Sequence, residues 1–206
     1  SIAVAGPFGA AAWSENAWAP AVAFKKIDGR DKFFIYFADG SNGIGVLTSD
    51  SPTGPFVDPL GEALISRNTP NCSDVIWLLD PAVLVDDDGS SYLYFGGGVP
   101  QGREENPGTG RVVKLGEDMI SLEGEPVALD IPYLFEDSEI NKIGDTYYYS
   151  YCTNWNVSSE KSKELGIDNA DIAYMIGKEP LGPFTFQKSI FKNPGIFFSQ
   201  WGNNHH

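Results

Sequence analysis

One pattern of about twenty residues occurs three times in this chain of 206 residues and limits what it can fold into. Each copy joins a short apolar stretch to an aromatic stretch through a polar turn with Asp-Gly or Gly-Asp, which is typical of a β-hairpin. The copies lie at 18–38, 80–97 and 135–152. Aligned on their aromatic stretches, Tyr36, Tyr94 and Ser150 lie 58 and 56 residues apart. A fixed period of this length indicates a repeat architecture.

A second phrase, Pro-x-Gly-Pro-Phe, occurs at 52–56 and again at 180–184. Each copy follows a segment whose pattern is typical of a further strand. These segments are 43–50 and 171–176, and the middle unit has a counterpart at 111–115. A helical pattern occurs at 159–165 alone. The sequence therefore predicts an all-β fold with units of about four strands each, which is the composition of β-propeller blades.

The charge balance narrows the range of ligands. The chain has 28 acidic and 14 basic residues, and the basic ones are scattered. Such a chain repels phosphate backbones and anionic lipid, so nucleic acid and membrane surfaces are disfavoured as partners and a neutral ligand is favoured. Hydrophobic residues make up 42% and aromatic residues 13%, which is enough for a sizeable core.

The cysteines and the first residues leave the cellular compartment open. Cys72 and Cys152 are too few for a disulfide framework, and the sequence does not say whether they pair. Residues 1–5 lack the charged start and the length of a signal peptide, so we expect no targeting segment within the chain. A location outside the cell and one in a bacterial cytoplasm are both compatible with this sequence.

Two acidic residues differ from the rest because apolar stretches flank them. Asp80 follows 75–79 and precedes Pro81, and Glu136 follows 131–135. An apolar environment raises the pKa of a carboxyl group, as a general acid requires, and a buried carboxylate needs a partner. Hydrolysis of a glycosidic bond uses one protonated and one ionised carboxyl group. Asp80 and Glu136 are therefore the leading candidates for catalytic carboxyl groups.

Asp137 and Glu139 are rivals for the role of the acid. Strict strand alternation places Asp137 and Glu139 on the face opposite to Glu136. Only one set can face the centre of the fold, and alternation does not say which. Three further acids at 86–88 precede a glycine in a hairpin turn, where we expect a purely structural role.

Tryptophan side chains are the candidates for sugar binding, because an aromatic ring stacks on the apolar face of a pyranose or furanose. Trp18, beside Pro20 near the start of a strand, is the first choice, with Trp13 and Trp77 after it. Trp155 follows a strand in a loop from which it can line a cleft. The tyrosines of the aromatic stretches are expected to pack between the units.

Five motifs together resemble glycoside hydrolase family 43, and the likeness covers the whole chain. They are Trp18-Ala19-Pro20, Asp80-Pro81-Ala82-Val83, the stretch at Glu136, the Ser-Pro-Thr-Gly-Pro-Phe phrase and the terminal Gly202-Asn203-Asn204-His205-His206. The resemblance implies a five-bladed β-propeller in which the strands that start near Ala19, Asp80 and Glu136 line one central axis. It also implies an inverting α-L-arabinofuranosidase or β-xylosidase that releases arabinofuranose or xylose from arabinoxylan, arabinan or xylo-oligosaccharides of the plant cell wall.

The resemblance implies a role for individual residues as well. Glu136 is the general acid, and Asp80 is the carboxylate that holds and tunes it. His205 is a ligand of a calcium ion in the central pore, although two terminal histidines are also typical of a purification tag. Calcium prefers oxygen ligands, so a single imidazole binds it weakly. No organic cofactor is expected.

The resemblance makes residues 1–206 an incomplete single propeller domain. Five blades at the observed period need about 280 residues, whereas the chain has about three blades with a fragment at each end. We expect the first blade, which carries the general base in the family, and most of the last blade to be missing. Either the chain is truncated or proteolysed, or a second chain supplies the missing segment. Without the base, residues 1–206 alone are not expected to hydrolyse glycosides.

Two other classes of protein are considered. A carbohydrate-binding or scaffolding propeller without catalysis is compatible with a chain that lacks the base. A sialidase is disfavoured, because it needs an arginine cluster for the carboxylate of its substrate, and the arginines here are scattered at 30, 67, 103 and 111.

Overall fold

The computed structural model describes residues 4–193 and shows a protein made almost entirely of antiparallel β-sheet. Three sheets follow one another along the chain, and strands that neighbour each other in a sheet are also consecutive in sequence. Within the described residues, no helix is long and apolar enough to cross a membrane. The predictions of a mostly β fold and of three repeated units are confirmed, and the number of propeller blades stays a prediction.

The sheets are meanders of three, four and four strands. The first contains β1 (Trp18–Ile27), β2 (Arg30–Ala38) and β3 (Ile44–Ser49). The second contains β4 (Ala82–Val85), β5 (Ser91–Phe95), β6 (Gly110–Leu115) and β7 (Leu122–Leu129). The third contains β8 (Leu134–Ile143), β9 (Thr146–Thr153), β10 (Ile172–Gly177) and β11 (Phe184–Phe191), with α1 (Ser159–Leu165) between β9 and β10.

The first sheet has one strand fewer than the sequence predicts. After β3, isolated bridges hold the chain, from Thr48 to Val57 and from Ile44 to Ile65. Prolines at 52, 55 and 59 lack the backbone N–H that a regular strand needs. The segment therefore follows the edge of the sheet without forming a fourth strand.

The β1–β2 hairpin shows why the repeated turn sequence folds as it does. Ile27 pairs with Arg30, which leaves a two-residue turn of Asp28 and Gly29. Both turn residues have positive φ, 50° and 74°. Such a backbone is typical of type I′ turns, whose twist matches that of the flanking strands. The hairpin that the Asp-Gly turn predicts is confirmed.

Helix α1, the one helix among residues 4–193, also forms where its sequence predicts. The Ser158 hydroxyl accepts a hydrogen bond from the backbone N–H of Lys161, which caps the first turn of α1. Gly166 ends the helix with a left-handed backbone, φ 69°. No residue of the helix is buried. Local capping therefore explains this element better than packing does.

Tyrosine side chains join neighbouring sheets. The hydroxyl of Tyr36 in the first sheet donates to the carbonyl oxygen of Met119 in the second, at 2.7 Å. The hydroxyl of Tyr94 in the second sheet donates to the carbonyl oxygen of Pro180 in the third, at 2.6 Å. The tyrosines are 58 residues apart, and their acceptors lie in the corresponding turns before β7 and β11. The sequence repeat is therefore also a repeat of one buried contact.

Burial raises the pKa of Tyr36 and of Tyr94 well above the ordinary value of 10.0, so both hydroxyls stay donors. Around them, aromatic rings fill the space between sheets. The rings of Tyr94 and Tyr149 lie 6.0 Å apart across the second and third sheets. The prediction that the tyrosines pack between the repeated units is confirmed.

A charged cluster also connects the second and third sheets. Asp86, in the turn after β4, is buried and accepts hydrogen bonds from Lys142 Nζ and from the Tyr147 hydroxyl. The backbone N–H of Asp87 donates to it as well, at 2.6 Å. Burial works against the charge of Asp86, yet these bonds outweigh it and lower the pKa of Asp86 below 3.8. The turn residue predicted to be structural thus has a further role, which is to hold two sheets together.

The two cysteines, both buried, are not joined in a disulfide. Burial is the main reason that the pKa of the Cys72 thiol rises to about 11. A thiol in this state is a weak nucleophile at neutral pH, because the thiolate is the reactive form. The cysteines are part of the core and form no crosslink.

Replacement of Tyr94 by Phe is expected to lower the free energy of unfolding by about 1–3 kcal/mol, because the buried carbonyl of Pro180 loses its donor. Chemical denaturation measures this change. Tyr174→Phe is the matched control, since the Tyr174 hydroxyl makes no hydrogen bond among residues 4–193. An equal loss in both variants would show that the contact between the sheets contributes nothing specific.

Replacement of Asp86 by Asn is expected to lower stability at pH 7 by about 1.5–3 kcal/mol, the range for hydrogen bonds to charged groups. The folded pKa of Asp86 lies below its unfolded value, so its contribution is complete above about pH 4 and disappears as the pH falls further. The difference between parent and variant should therefore narrow from pH 7 to pH 3 in urea titrations. Asp145→Asn in an exposed turn is the control, and a constant difference across pH would contradict the assignment.

Candidate active site

A cleft of about 500 Å³ opens where the starts of β1, β4 and β8 come together. β1 contacts β4 and β4 contacts β8, so the first strands of the three sheets lie side by side. The residues that line the cleft include Ala19, Pro20, Asp80, Pro81, Asp137 and Glu139. The expected meeting of the three strand starts is therefore confirmed.

Asp80 links the second sheet to the third at this cleft. Its carboxylate oxygen Oδ2 accepts a hydrogen bond of 2.7 Å from the backbone N–H of Asp137, 57 positions further along the chain. Hydrogen bonds to an ionised acceptor are short and stronger than bonds between neutral groups. The Asp80 carboxylate is thus fixed to the residue that directly follows Glu136.

Three residues at the cleft have a left-handed backbone although none of them is glycine. They are Ala19 (φ 42°), Asp80 (φ 50°) and Asp137 (φ 69°). This conformation costs roughly 1–2 kcal/mol per residue because Cβ approaches the backbone carbonyl. The strand pairing of β1 and of β8 shifts register at these places. Bulges of this kind redirect side chains at the ends of strands.

The bulge in β8 changes which acidic residues share a face. Glu136 lies opposite Cys152 on β9. Glu139 lies opposite Ser150, so three steps along β8 match two steps along β9. Because residues two apart on β9 face the same side, Glu136 and Glu139 also face the same side. The prediction from strict alternation is wrong here, because the register shift around Asp137 inserts an extra residue.

Ser138, which follows Asp137 in the bulge, lines the cleft but is almost fully buried. Its hydroxyl forms a hydrogen bond of 2.8 Å with the hydroxyl of Tyr149. Burial raises the pKa of Tyr149, the bond to Ser138 lowers it, and the charges of Asp80 and Asp137 raise it again. The net shift is upward, so Tyr149 stays a neutral phenol that supports the start of β8 from the core.

The glycines at 96–98 also contact the start of β8, and the sequence analysis does not single them out. The backbone N–H of Gly98 donates to the carbonyl oxygen of Phe135 at 2.7 Å. A Cβ on Gly97 would overlap that oxygen and would lie 3.2 Å from Cα of Glu136. Three successive glycines after an aromatic strand are the signal that was available, because glycine in such a place marks a close approach of two backbones.

Trp18 is exposed and directly precedes the lining of the cleft, without being part of that lining. Its side chain is 54% exposed and directly precedes the cleft residue Ala19. One carboxylate oxygen of Asp39 accepts hydrogen bonds from the backbone N–H groups of Glu15 and Asn16, at 2.9 and 2.8 Å. Asp39 thereby fixes the segment that leads into Trp18.

Trp77 and Trp155 lie near the strands that form the cleft. The Trp77 ring meets the edge of the Phe135 ring with centroids 5.1 Å apart. Its backbone forms a bridge to Gly97. Trp155 is half-buried in the loop after β9 and follows the fully buried Asn154. A sugar-binding role stays a prediction for both tryptophans.

Trp13 lies in a different environment. Its indole N–H donates to Asp58 at 2.8 Å, and its ring stacks on Phe37 with centroids 6.0 Å apart. It packs against the small core formed by Ala11, Phe37 and Leu47. Trp13 is not among the residues that line the cleft, and neither are the other three candidate tryptophans or Glu136. Its contacts explain its presence structurally, and a role in sugar binding stays a prediction.

The predicted calcium ligand, His205, lies outside the described residues. Within 4–193, no group of three or more His, Cys, Asp or Glu side chains is arranged to hold a metal ion. The Asp80 carboxylate at the cleft accepts the hydrogen bond from the Asp137 backbone.

Comparison with known families gives a match to one of them. The sequence model of Glycosyl hydrolases family 43 matches residues 9–138. An arabinoxylan arabinofuranohydrolase of Paenibacillus polymyxa is 54% identical over 202 residues, which are 96% of this chain and 31% of the relative. The chain thus spans about a third of the length of this curated relative.

Solved structures show the same likeness. The family 43 arabinoxylan arabinofuranohydrolase of Bacillus subtilis, in complex with cellotetraose, superposes with a TM-score of 0.93 at 50% identity, over 100% of this chain and 44% of that one. A β-xylosidase/α-arabinofuranosidase from a compost metagenome, in complex with xylotriose and in a calcium-free form, gives a TM-score of 0.63 at 26% identity, over 93% of this chain and 61% of that one. The three antiparallel sheets are therefore shared with solved structures of this kind.

Proposed function

We propose, since this chain belongs to glycosyl hydrolase family 43, that the protein is an inverting glycosidase that removes arabinofuranose from arabinoxylan. The substrate class is supported by the identity of 54% to an arabinoxylan arabinofuranohydrolase. Because the chain spans 31% of that relative, the activity of the whole protein is part of the proposal. Release of xylose is the alternative within the same reaction class.

One observation carries the proposal, the hydrogen bond from the Asp137 N–H to the Asp80 carboxylate. It fixes an acidic side chain from the second sheet against the strand of the third sheet that bears Glu136. Asp80 and Asp137 both have a left-handed backbone, a conformation that costs roughly 1–2 kcal/mol per residue. Positioned acidic groups at a cleft are what glycoside hydrolysis requires.

In this proposal Glu136 is the general acid. Its carboxylic acid proton passes to the glycosidic oxygen while the bond between that oxygen and the anomeric carbon breaks. Glu136 is half-buried at the start of β8, directly after the ring of Phe135. Limited contact with water favours the protonated form, which the reaction needs at its start.

Asp80 is the residue that holds and tunes the acid. Its charge lies next to the backbone that follows Glu136, and a neighbouring negative charge disfavours ionisation of a second carboxyl group. The hydrogen bond from Asp137 stabilises Asp80 in its ionised form. The pair thus divides into one ionised and one protonated carboxyl group.

Inversion needs a further carboxylate that activates water on the opposite face of the sugar, about 6.5–9.5 Å from the acid. Asp80 does not suit this task, because a carboxylate that is held beside the backbone of Glu136 to tune the acid leaves no room for the attacking water between the two groups. None of the residues 4–193 is assigned the role of activating the water. We assign that role to the whole protein, since this chain spans only 31% of the length of its arabinofuranohydrolase relative.

The surroundings of the cleft suit a neutral sugar. Trp18 offers an exposed aromatic face beside Ala19 and Pro20, and Trp77 and Trp155 lie near the same strands. Aromatic faces stack on the C–H surface of a furanose, while carboxylates accept hydrogen bonds from its hydroxyl groups. The net charge of -14 disfavours anionic substrates and leaves neutral ones unaffected.

The proposed calcium ligand His205 lies outside residues 4–193. Within that range, no group of three or more His, Cys, Asp or Glu side chains is arranged to hold a metal ion. A calcium ion held by His205 therefore stays a separate proposal.

Replacement of Glu136 by Gln in the full-length protein is expected to lower arabinose release from arabinoxylan by about 10²–10⁴-fold, because the glycosidic oxygen loses its proton donor. The rate of hydrolysis of an aryl arabinofuranoside with a dinitrophenyl leaving group should fall far less, since this group departs without a proton. Reducing-sugar and absorbance assays measure the two rates, and a thermal melt checks the fold.

Glu139→Gln is the matched control, because Glu139 lines the cleft and faces the same side of the sheet as Glu136. It should keep the ratio of the two rates close to that of the parent protein. A Glu136→Gln variant with normal activity, together with an inactive Glu139→Gln variant, would show that Glu139 is the acid.

A further inference from the structure

The glycine triplet 96–98 connects the two backbone segments that carry the proposed carboxyl groups. Its first N–H donates to the carbonyl oxygen of Leu79 at 2.9 Å, and its last N–H donates to the carbonyl oxygen of Phe135 at 2.7 Å. Leu79 directly precedes Asp80, and Phe135 directly precedes Glu136. The triplet therefore touches the peptide before each acid.

The hydrogen bond from Asp137 to Asp80 closes this connection into a ring. From the triplet the ring passes through Leu79 to the Asp80 side chain, then to the backbone of Asp137 and back along β8 to Phe135. The links are hydrogen bonds of 2.9 Å or less, stretches of backbone and the short Asp80 side chain. The backbone that carries Glu136 is thus held at a fixed place relative to Asp80.

Gly97, at the centre of the triplet, has no room for a side chain. A Cβ there would overlap the carbonyl oxygen of Phe135 and would lie 3.2 Å from Cα of Glu136. Both neighbours are backbone atoms, so no side chain can turn aside to relieve the contact. Glycine is therefore required at position 97 because a side chain there would collide with the backbone of β8, the strand that bears Glu136.

The opposite side of Gly97 is closed as well. Trp77 donates to and accepts from the Gly97 backbone, with both hydrogen bonds at 3.1 Å. The Trp77 ring packs against the ring of Phe135. Thr109 donates from its hydroxyl to the carbonyl oxygen of Gly98 at 2.8 Å. An added methyl group on Gly97 must therefore displace the start of β8, because the hydrogen bonds to Trp77 keep Gly97 from moving away.

We infer that Gly97 is a positioning residue, which sets where the carboxyl group of Glu136 stands relative to Asp80 and to the glycosidic oxygen. The inference rests on the proposed function, since it assumes that Glu136 is the acid. Its chemical consequence is specific. A displaced acid transfers its proton less well as the carbon–oxygen bond breaks, so a leaving group that needs the proton is penalised and one that does not is spared.

The test is Gly97→Ala in the full-length protein, assayed on arabinoxylan and on the dinitrophenyl arabinofuranoside. Arabinose release from arabinoxylan should fall by about 10²-fold, the scale reported for a misplacement of about 1 Å. The rate of hydrolysis of the dinitrophenyl substrate should change little, and the KM for arabinoxylan should stay near the value of the parent protein. A loss that depends on the leaving group separates a positioning role from a general loss of stability.

Gly43→Ala is the matched control. Its Cβ would lie 2.6 Å from the carbonyl oxygen of Ile65, which is the same kind of clash at a place that does not contact Glu136. It should lower the melting temperature and reduce both rates in equal proportion. Thr109→Val is a second, milder variant in case Gly97→Ala does not fold. It removes the bond to Gly98 and should show the same dependence on the leaving group to a smaller degree.

The outcomes separate the inference from the proposed function. If Glu136→Gln shows the dependence on the leaving group and the folded Gly97 and Thr109 variants lower both rates equally, Gly97 has no positioning role. If Glu136→Gln itself retains full activity on arabinoxylan, the proposed function fails first. A loss confined to arabinoxylan in both Glu136→Gln and Gly97→Ala supports the inference.

Discussion

This structure depends on each β-sheet covering one face of the next. A buried tyrosine hydroxyl fixes the contact between the first and second sheets and again between the second and third. A sheet with an aromatic face is not stable alone, and a hydroxyl brought into that face needs an acceptor. Tyr36 and Tyr94 find theirs in the sheet that follows, at 2.7 and 2.6 Å. These contacts orient the sheets so that the starts of β1, β4 and β8 converge, which places Asp80 within reach of Asp137.

Much of the fold follows from local sequence, and much of the site does not. The Asp-Gly turn at Asp28 and the capped helix α1 depend on residues close together in the chain, so their patterns predict them correctly. The bulge at Asp137 depends on a contact with Asp80, 57 positions away, and an alternating pattern carries no sign of an inserted residue. The same holds for Trp13, whose partners Asp58 and Phe37 become apparent only when the chain is folded.

The bulge brings to one face two acidic residues that strict alternation places on opposite faces. Glu136 and Glu139 face the same side of the third sheet, so orientation does not distinguish them. Position along the strand does, since Glu136 follows the peptide that the glycine triplet and Trp77 hold in place. In the proposed mechanism, the rigid backbone before Glu136 favours this residue over Glu139 as the acid, because proton transfer tolerates little displacement.

The left-handed residues at the cleft have a consequence for how this protein changes under selection. Ala19, Asp80 and Asp137 each hold a conformation that glycine would adopt at lower energy. Random mutagenesis screened for heat resistance should therefore accumulate changes at these positions, while a screen for turnover should remove them again at Asp80, whose side chain the proposed reaction uses. Thermostability and catalysis are in this way opposed at Asp80, where one residue has both the strained backbone and the side chain that the proposed reaction uses.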